Sequence, residues 1–484
     1  MGYSDNFKRK DLMKIFLGQS FIDVRKSFIS FVPEDVPLLI QNKLVNYYVS
    51  KLKSDPSLHD KIEFEIAINC LIFDFEKRIN ELCPNLLNKK EVKTLKEKYL
   101  MIFKKTQENN NKGSINLNLN KIKKLNENYE YYKKEKNIKK IIRFTINYGI
   151  IPFSILARHA FVAENLLRSL VRLKIIDNKD LENFKSDLET VTSKFIFHCN
   201  MLSSNSMSFL KFKKIYGHLR PGTYDINSKS YSSFKKDFFI KKRSTIEKKK
   251  PFNLNKKKIT KIKNILKKND LNLDVAQFFL YIRKSIESRE YSKFVFTKYV
   301  DLVLKRISEI AKLKGLSKKQ ISFFSIKELT NLKLIKSSKK KLLNKIQKRE
   351  SDYKTNLNIK LPLVLIDAKG VDVIPFQVSS PNFIGSKKIF SKIVFIDNNI
   401  DFKKGELNQK IILIENADPG FDWLFNFPIN GLITKFGGAN SHMSIRCNEL
   451  KIPAAIGVGE KIFQDIRKND QLILNCALKK IEVN

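Results

Sequence analysis

The sequence has few of the residues that build disulfide frameworks or zinc sites. It contains five cysteines, at positions 70, 83, 199, 447 and 476, and they are scattered, odd in number and never spaced as CxxC. This pattern predicts reduced thiols and argues against a disulfide scaffold or a zinc centre. We predict no metal site on this chain.

Long apolar runs are also scarce. No uninterrupted apolar stretch approaches the ~20 residues needed to cross a bilayer, and the N-terminus lacks the apolar core and cleavage site of a signal peptide. We therefore predict a globular, cytoplasmic protein that does not enter a membrane.

Acidic residues are few relative to basic ones. The chain has 93 Lys and Arg against 49 Asp and Glu, a net charge of +44. Residues 361–484 carry 15 basic and 13 acidic side chains, so almost all of the excess lies in residues 1–360. Arginine, which binds phosphate in a bidentate manner, is much rarer than lysine. No known nucleic-acid-binding motif is visible, so we expect only non-specific, salt-sensitive binding. A basic RNA-associated protein stays a further alternative.

The sequence pattern changes near residue 360. Before it, apolar residues recur at helical spacing; after it, short Ile/Val-rich runs such as "KIVFID" and "KIILIENA" are separated by turn residues. We predict a mainly helical N-terminal and central region at 1–360, a linker and hinge at 361–388, and a compact three-layer α/β domain at 389–484.

Two stretches of the helical region are densely basic. Residues 104–140 and 235–270 are rich in Lys and Asn and contain few large apolar side chains. We predict that both are solvated insertions.

The stretch "KFGGANSHMSIRCNELKIPAAIG" contains one of only five histidines in the chain. Gly437 and Gly438 allow a tight turn after a strand, and Asn440 or Ser441 could cap the helix that follows. His442 then falls in the first helical turn, where free N–H groups and the helix dipole favour an anion such as a phosphoryl group.

An imidazole at this position could attack phosphorus while the amides and Ser441 hold the phosphoryl oxygens. Arg446 lies one turn further along the same helix face and could help to bind phosphate. The alternative is a glycine turn that leads into a helix, with His442 only capping or packing.

The longer string resembles the phosphohistidine mobile, or swivelling, domain of the phosphoenolpyruvate-utilising enzymes, which include phosphoenolpyruvate synthase, pyruvate phosphate dikinase and rifampicin phosphotransferase. The family pattern is Gly-Gly, two residues, Ser-His, an alanine-rich helix, Glu-Leu and Gly-Ile-Pro-Ala-Val-Val-Gly. Here it stands as residues 437–442 and 449–457. The resemblance covers roughly 375–484 and implies that His442 is phosphorylated. Asn448 stands where many members have arginine, so it stays open which arginine binds phosphate.

The loop "YGHLRPGTYDI" (216–226) is similar to a Gly-His loop in the central domain of phosphoenolpyruvate-synthase-like and rifampicin-phosphotransferase-like proteins. The resemblance implies a substrate-site loop, in which His218, Arg220, Tyr224 and Asp225 offer a base, an anion contact and hydrogen bonds. The alternative is an ordinary Pro-Gly turn.

The predicted helix at 151–176 contributes two further candidates. Arg168 and Arg172 share a face at i, i+4 spacing, so they are either solvated charges or ligands of an anionic substrate.

Family members that use ATP carry an ATP-grasp domain, and no counterpart of its nucleotide-binding loop is found here. The resemblance therefore implies a phosphotransferase component of the synthase or dikinase type. A separate ATP-grasp protein would bind ATP and Mg²⁺ and phosphorylate His442, and the helical region would hold a small-molecule acceptor. The alternative is a non-catalytic remnant or scaffold of a split enzyme. The oligomeric state stays open.

Overall fold

The computed structural model describes residues 2–4, 12–106, 113–240, 252–331, 337–357, 359, 361–362, 364–365, 381–397, 406–438 and 441–483. A mainly helical part precedes a C-terminal mixed sheet, as the change of pattern near residue 360 predicts. The helices are α1 (Val24–Ile29), α2 (Leu38–Ser54), α3 (Phe75–Leu82), α4 (Lys89–Thr106), α5 (Ser114–Glu127), α6 (Tyr129–Lys134), α7 (Ile138–Thr145), α8 (Ile151–Arg172), α9 (Asn178–Ser186), α10 (Val191–Ser203), α11 (Phe209–Tyr216), α12 (Lys256–Lys268), α13 (Val275–Leu313), α14 (Lys318–Ile321), α15 (Ile326–Leu329), α16 (Lys339–Leu357), α17 (His442–Glu449) and α18 (Gly459–Arg467).

The helical region is organised around α13, a helix of 39 residues that packs against α8 and α5. Asp274 starts α13 with a capping box, in which its side chain and that of Gln277 each accept a hydrogen bond from the other residue's backbone N–H. Apolar side chains such as Phe278 and Val295 are buried along α13 and form the centre of the core.

The two basic stretches differ from the expectation that they are solvated. Helix α5 buries Ile122 and Leu125 against the core, and α12 buries Ile262 and Leu266. The frequent lysines lie on the opposite, exposed faces of these helices, because one apolar residue per turn is enough to bury a helix face. Residues 107–112 and 241–251 lie outside the described residues.

One helical run differs from the expectation that no apolar stretch is long enough to cross a bilayer. The continuous run Ile138–Arg172 is long and apolar enough to cross a bilayer by length and composition alone. Half of the most apolar 18-residue segment of this run is buried inside the protein. Leu166 and Leu170 of the same run face the helical core. A core helix passes the same test, so this run is weak evidence for a membrane span.

Near the N-terminus, strands β1 (Met13–Phe16) and β2 (Gln19–Ile22) pair as an antiparallel hairpin. The C-terminal domain is built on a seven-stranded mixed sheet. Its strands are β3 (Asn382–Ile384), β4 (Lys388–Ile396), β5 (Ile411–Asn416), β6 (Gly431–Phe436), β7 (Ala454–Ile456), β8 (Gln471–Asn475) and β9 (Lys480–Val483). The spatial order is β3-β7-β6-β5-β4-β8-β9, with parallel pairing from β4 through β5 and β6 to β7 and antiparallel pairing elsewhere.

Side chains alternate between two cores along the central strands. Ile412 and Ile414 of β5 face α17 and the 3₁₀ helix Pro419–Asn426, whereas Ile411 and Leu413 face α18. The sheet is therefore covered on both faces, which gives the predicted three layers. It begins with β3, which pairs with β7, so strand structure starts before residue 389, the predicted start of the domain.

One face of this domain shares a hydrophobic core with residues 191–240 of the helical region. Phe195, Tyr231 and Phe239 belong to the same buried cluster as Trp423 and Met443. The two parts of the chain are therefore joined by buried apolar contacts beside the His442 loop.

Candidate functional site

The two glycines after β6 shape the backbone in different ways. Gly437 has φ +138°, and a Cβ there would lie 2.6 Å from the Cβ of Ala417. Gly457, with φ +75°, faces it so closely that a Cβ would lie 2.2 Å from the Gly437 carbonyl oxygen. Glycine is therefore required at both positions, whereas Gly438 has room for a methyl group. Residues 439–440 lie outside the described residues.

Ser441 is the N-cap of α17, one of the two positions that the sequence predicts. Its backbone is extended, and its side-chain oxygen accepts a hydrogen bond from the N–H of Ser444 at 3.3 Å. His442 is the first residue of the helix, so its imidazole projects from the end where the backbone amides are free.

The imidazole of His442 lies between two carboxylates. Its Nε2 is 2.6 Å from Oδ1 of Asp422 in the preceding 3₁₀ helix, and its Nδ1 is 3.6 Å from Oε2 of Glu290 in α13. The side chain is only 11% exposed. The second contact joins the C-terminal domain to the helical region.

These neighbours decide the charge of His442. Burial alone would lower its pKa, but Asp422 and Glu290 outweigh that effect and raise the pKa to about 9. Burial would likewise raise the pKa of Glu290, yet the ion pair with His442 and the nearby Arg289 lower it to about 2. At neutral pH the imidazole is therefore a cation held by two anions. Its nitrogens are not nucleophilic in this arrangement.

Arg446 lies one turn beyond His442, and its side chain is 3% exposed. Its Nη1 pairs with Glu449, and its Nε lies 3.8 Å from Asp422. Within the described part of the chain, its Nε and Nη2 make no hydrogen bond. Buried guanidinium nitrogens usually find partners, so these two donors are available to an oxyanion beside His442.

We expect inorganic phosphate to raise the melting temperature of the wild-type chain above its value in chloride of equal ionic strength. An anion that binds only the folded state stabilises it by mass action. In Arg446→Gln the difference should vanish. Arg349→Gln is the matched control, because Arg349 pairs with Glu328 on another part of the surface. An Arg446→Gln protein that keeps the full phosphate effect would contradict this role.

His442 and Arg446 line a cavity of about 520 Å³ between the helical region and the C-terminal domain. Helices α8 and α13 form one wall, and β3 with α17 forms the opposite wall. Glu290 also lines the cavity, so a molecule inside it would meet both the imidazole and a carboxylate.

Residues 407–478 match the family model described as PEP-utilising enzyme, mobile domain. The match includes the whole His442 loop and α17, and it supports a role as a phosphotransferase that carries phosphohistidine. No curated protein matches the chain. The matched segment lies within the sheet domain described above, and it coincides with the part of the sequence where the resemblance is most specific.

The two arginines of α8 occupy different surroundings. Arg168 lines the same cavity as His442 and is 2.9 Å from Glu164. Arg172 does not reach it and instead makes two hydrogen bonds, of 2.5 and 2.8 Å, to the carboxylate of Asp74. Arg172 therefore forms an ion pair within the helical region, and no contact with the described walls of the cavity supports its predicted role as an anion ligand.

His218 and Arg220 also fail to reach the cavity. His218 is buried against the ring of Phe294, its Nε2 is 3.1 Å from that residue's carbonyl oxygen, and burial lowers its pKa to about 3. The Arg220 guanidinium pairs with the buried Asp301 of α13 and donates to two backbone carbonyls. These side chains hold the loop in place and do not line the site.

Tyr224 and Asp225 complete the same loop. Tyr224 is exposed, and the Asp225 carboxylate accepts a hydrogen bond from the Asn227 N–H at a separate surface hollow. The substrate role that the resemblance implies for this loop is not supported, because none of the four predicted side chains lines the His442 cavity.

Residues 216–231, which extend this loop as far as Tyr231, instead form a seat, that is, a surface on which the C-terminal domain packs. Thr223 Oγ1 donates to the Asp418 carboxylate at 3.2 Å, and Tyr231 Oη donates to the Gly420 carbonyl at 2.9 Å. Both acceptors lie just before Asp422, so the seat positions the partner of His442.

Sequence analysis does not single out the two carboxylates that flank His442. Asp422 lies within the "FDWLF" run, where it reads as part of a helix, and Glu290 lies in the middle of α13. One signal could have indicated Asp422, a carboxylate just before the strand that leads to the histidine. No local pattern pairs Glu290 with a histidine so far along the chain.

Proposed function

We propose that this chain carries a phosphoryl group on His442 and passes it to an acceptor bound in the adjacent cavity. The observation that carries the proposal is the position of His442. It stands at the N-terminus of α17 in the matched mobile domain, and it faces a cavity that also contains Glu290 and the free donors of Arg446.

An imidazolium at His442 fits the end of such a transfer. Before transfer, the phosphohistidine would carry a proton on its second ring nitrogen. Its N–P bond would break as a P–O bond to an acceptor hydroxyl forms, and the hydroxyl proton would pass through Glu290 to the ring nitrogen that has lost the phosphoryl group. The product is His442 as an imidazolium between Asp422 and Glu290, which is the state that its raised pKa favours. Before transfer, the dianionic phosphoryl group would be repelled by the same carboxylates, and this repulsion favours its departure.

The phosphoryl donor in this proposal is ATP with Mg²⁺, bound by a separate ATP-grasp protein. It would give AMP and inorganic phosphate, as in the synthase and dikinase members of the family. The support is the resemblance of the His442 stretch. His442 would accept a phosphoryl group only as a neutral imidazole, and so only after it has left at least one of its carboxylates. The complete set of His442, Asp422, Glu290 and Arg446 favours this enzyme over a non-catalytic remnant, since a scaffold has no use for a buried arginine with free donors.

The test is mass spectrometry of the chain after incubation with ATP, Mg²⁺ and a candidate ATP-grasp protein. We expect one acid-labile, base-stable phosphate on His442 in the wild type and none in His442→Ala. The matched control is His59→Ala, which removes an exposed imidazole and should be labelled like the wild type. Persistent labelling of the His442→Ala protein would refute the assignment.

A further inference from the structure

The cavity beside His442 carries more positive than negative charge. Among the residues that the structure describes, its walls contain six basic side chains and three carboxylates, apart from His442 itself: Lys61, Arg168, Lys185, Arg289, Arg446 and Lys479 against Glu164, Glu290 and Glu449. These residues come from both the helical region and the C-terminal domain, so the excess of positive charge belongs to the cavity as a whole and not to one of its walls.

The carboxylates of the cavity are already shared. Glu164 is 2.9 Å from Arg168 and 3.0 Å from Lys185, so two cations divide one anion. Burial would raise the pKa of Glu164, but these two cations lower it to about 2. Glu290 is shared in the same way between His442 and Arg289. The internal pairing therefore leaves a positive potential that an anionic ligand would neutralise.

Aromatic rings lie next to these cations. The Arg168 guanidinium stands 4.3 Å from the ring centre of Phe64, and Arg289 stands 5.9 Å from that of Phe161. The two rings are 6.2 Å apart, and Phe383 and Ile286 add further apolar surface to the cavity. A cavity of about 520 Å³ with such walls suits a ligand with an apolar body, since small-molecule sites are largely apolar with a few placed polar groups.

We infer that the acceptor is an amphipathic organic anion. It has an apolar body about the size of one or two rings, a carboxylate, sulfonate or phosphate that the cations bind, and a separate hydroxyl that receives the phosphoryl group. That this ligand is the acceptor of the phosphoryl group rests on the proposed function. The preference of the cavity for an apolar anion rests on its lining alone.

Two fluorescent probes with the same body test this preference. 8-Anilinonaphthalene-1-sulfonate carries a sulfonate, and N-phenyl-1-naphthylamine is its neutral counterpart. We expect the full chain to bind the sulfonate at least tenfold more tightly. Trp423, the single tryptophan, lies next to Asp422, so energy transfer from it should report binding near His442.

Charge variants separate the cavity from the general positive charge of the chain. Arg168→Gln and Lys185→Gln should each weaken binding of the sulfonate about tenfold and leave binding of the neutral probe within twofold. Arg143→Gln removes the same charge from an exposed position on α7 and should change neither. Ala157→Trp should fill the cavity and abolish both, with the circular dichroism spectrum unchanged.

Equal affinity of the wild type for the two probes would overturn the inference. So would an Arg168→Gln protein that binds the sulfonate as tightly as Arg143→Gln does. Both outcomes remain decisive even if Ala157→Trp fails to fold. The outcome is separable from that of the proposed function. Failure to phosphorylate His442 with sulfonate selectivity intact would refute the phosphotransferase and keep the apolar-anion site. Phosphorylation of His442 without sulfonate selectivity would keep the phosphotransferase and refute the apolar-anion site.

Discussion

Asp422→Asn is expected to lower the pKa of His442 from about 9 to its ordinary value of 6.5 or below, a fall of at least about two units. The aspartate supplies the closer of the two anionic contacts, at 2.6 Å from Nε2. Without it, burial again favours the neutral imidazole, and Glu290 at 3.6 Å is left to oppose that effect alone. An NMR titration of the imidazole protons measures the change directly.

The same substitution should change how stability depends on pH. The folded-state pKa of His442 lies above its unfolded value, so the pair contributes stability that is fully present below pH 6.5 and is lost as pH rises through 9. The contribution is on the order of 3 kcal/mol. Urea unfolding between pH 6.5 and 9 should therefore show a decline in the wild type that is absent in Asp422→Asn.

Asp465→Asn is the control for this pair, because it removes a half-exposed carboxylate from α18 in the same domain. It should leave both the titration of His442 and the decline in stability unchanged. A His442 pKa near 9 in the Asp422→Asn protein would show that Asp422 does not hold the imidazolium.

The loop that carries His442 could be predicted from the sequence because its determinants are local. Gly437 is required by its backbone conformation, Ser441 caps the helix, and the Ile-rich strands on either side alternate between two buried faces. Such features depend on neighbours within a few residues, and the sequence displays them directly.

The partners of His442 could not be predicted in this way. Glu290 and His442 meet only because the C-terminal domain packs on α13, and a single sequence contains no record of that contact. The same limit applies to Arg172 and Arg220, which lie outside the cavity. Each has helical or loop surroundings typical of a ligand, but a distant aspartate, Asp74 or Asp301, occupies the guanidinium.

Amino-acid composition gives the wrong expectation for a helix that buries only a narrow apolar face. Lysine and asparagine dominate residues 104–140, so the stretch resembles a solvated insertion, yet α5 packs against both α8 and α13. The few apolar residues of α5 recur at helical spacing, and that spacing outweighs the average composition.

Gly420→Val is expected to destabilise the protein by more than about 3 kcal/mol, because it forces two backbones apart. A Cβ at Gly420 would lie 1.9 Å from the Arg220 carbonyl oxygen and 2.3 Å from the Pro221 nitrogen. Neither backbone atom can move aside by a side-chain rotation, and Arg220 is further fixed by its ion pair with Asp301. The valine side chain can fit only if the C-terminal domain leaves the seat formed by residues 216–231.

Unseating the domain should be visible at Trp423 and at His442. The Trp423 ring is fully buried and lies 6.1 Å from the ring of Phe238, so its emission should shift to longer wavelength when that contact opens. Because the same movement draws His442 away from Glu290, the pKa of His442 should fall as well.

Gly438→Ala is the matched control, since a Cβ there meets nothing closer than 3.6 Å, and it should unfold within about 0.5 kcal/mol of the wild type. If Gly420→Val matched that control in stability and in Trp423 emission, the seat would not hold the domain, and the alignment of His442 with its cavity would have to come from the Glu290 contact alone.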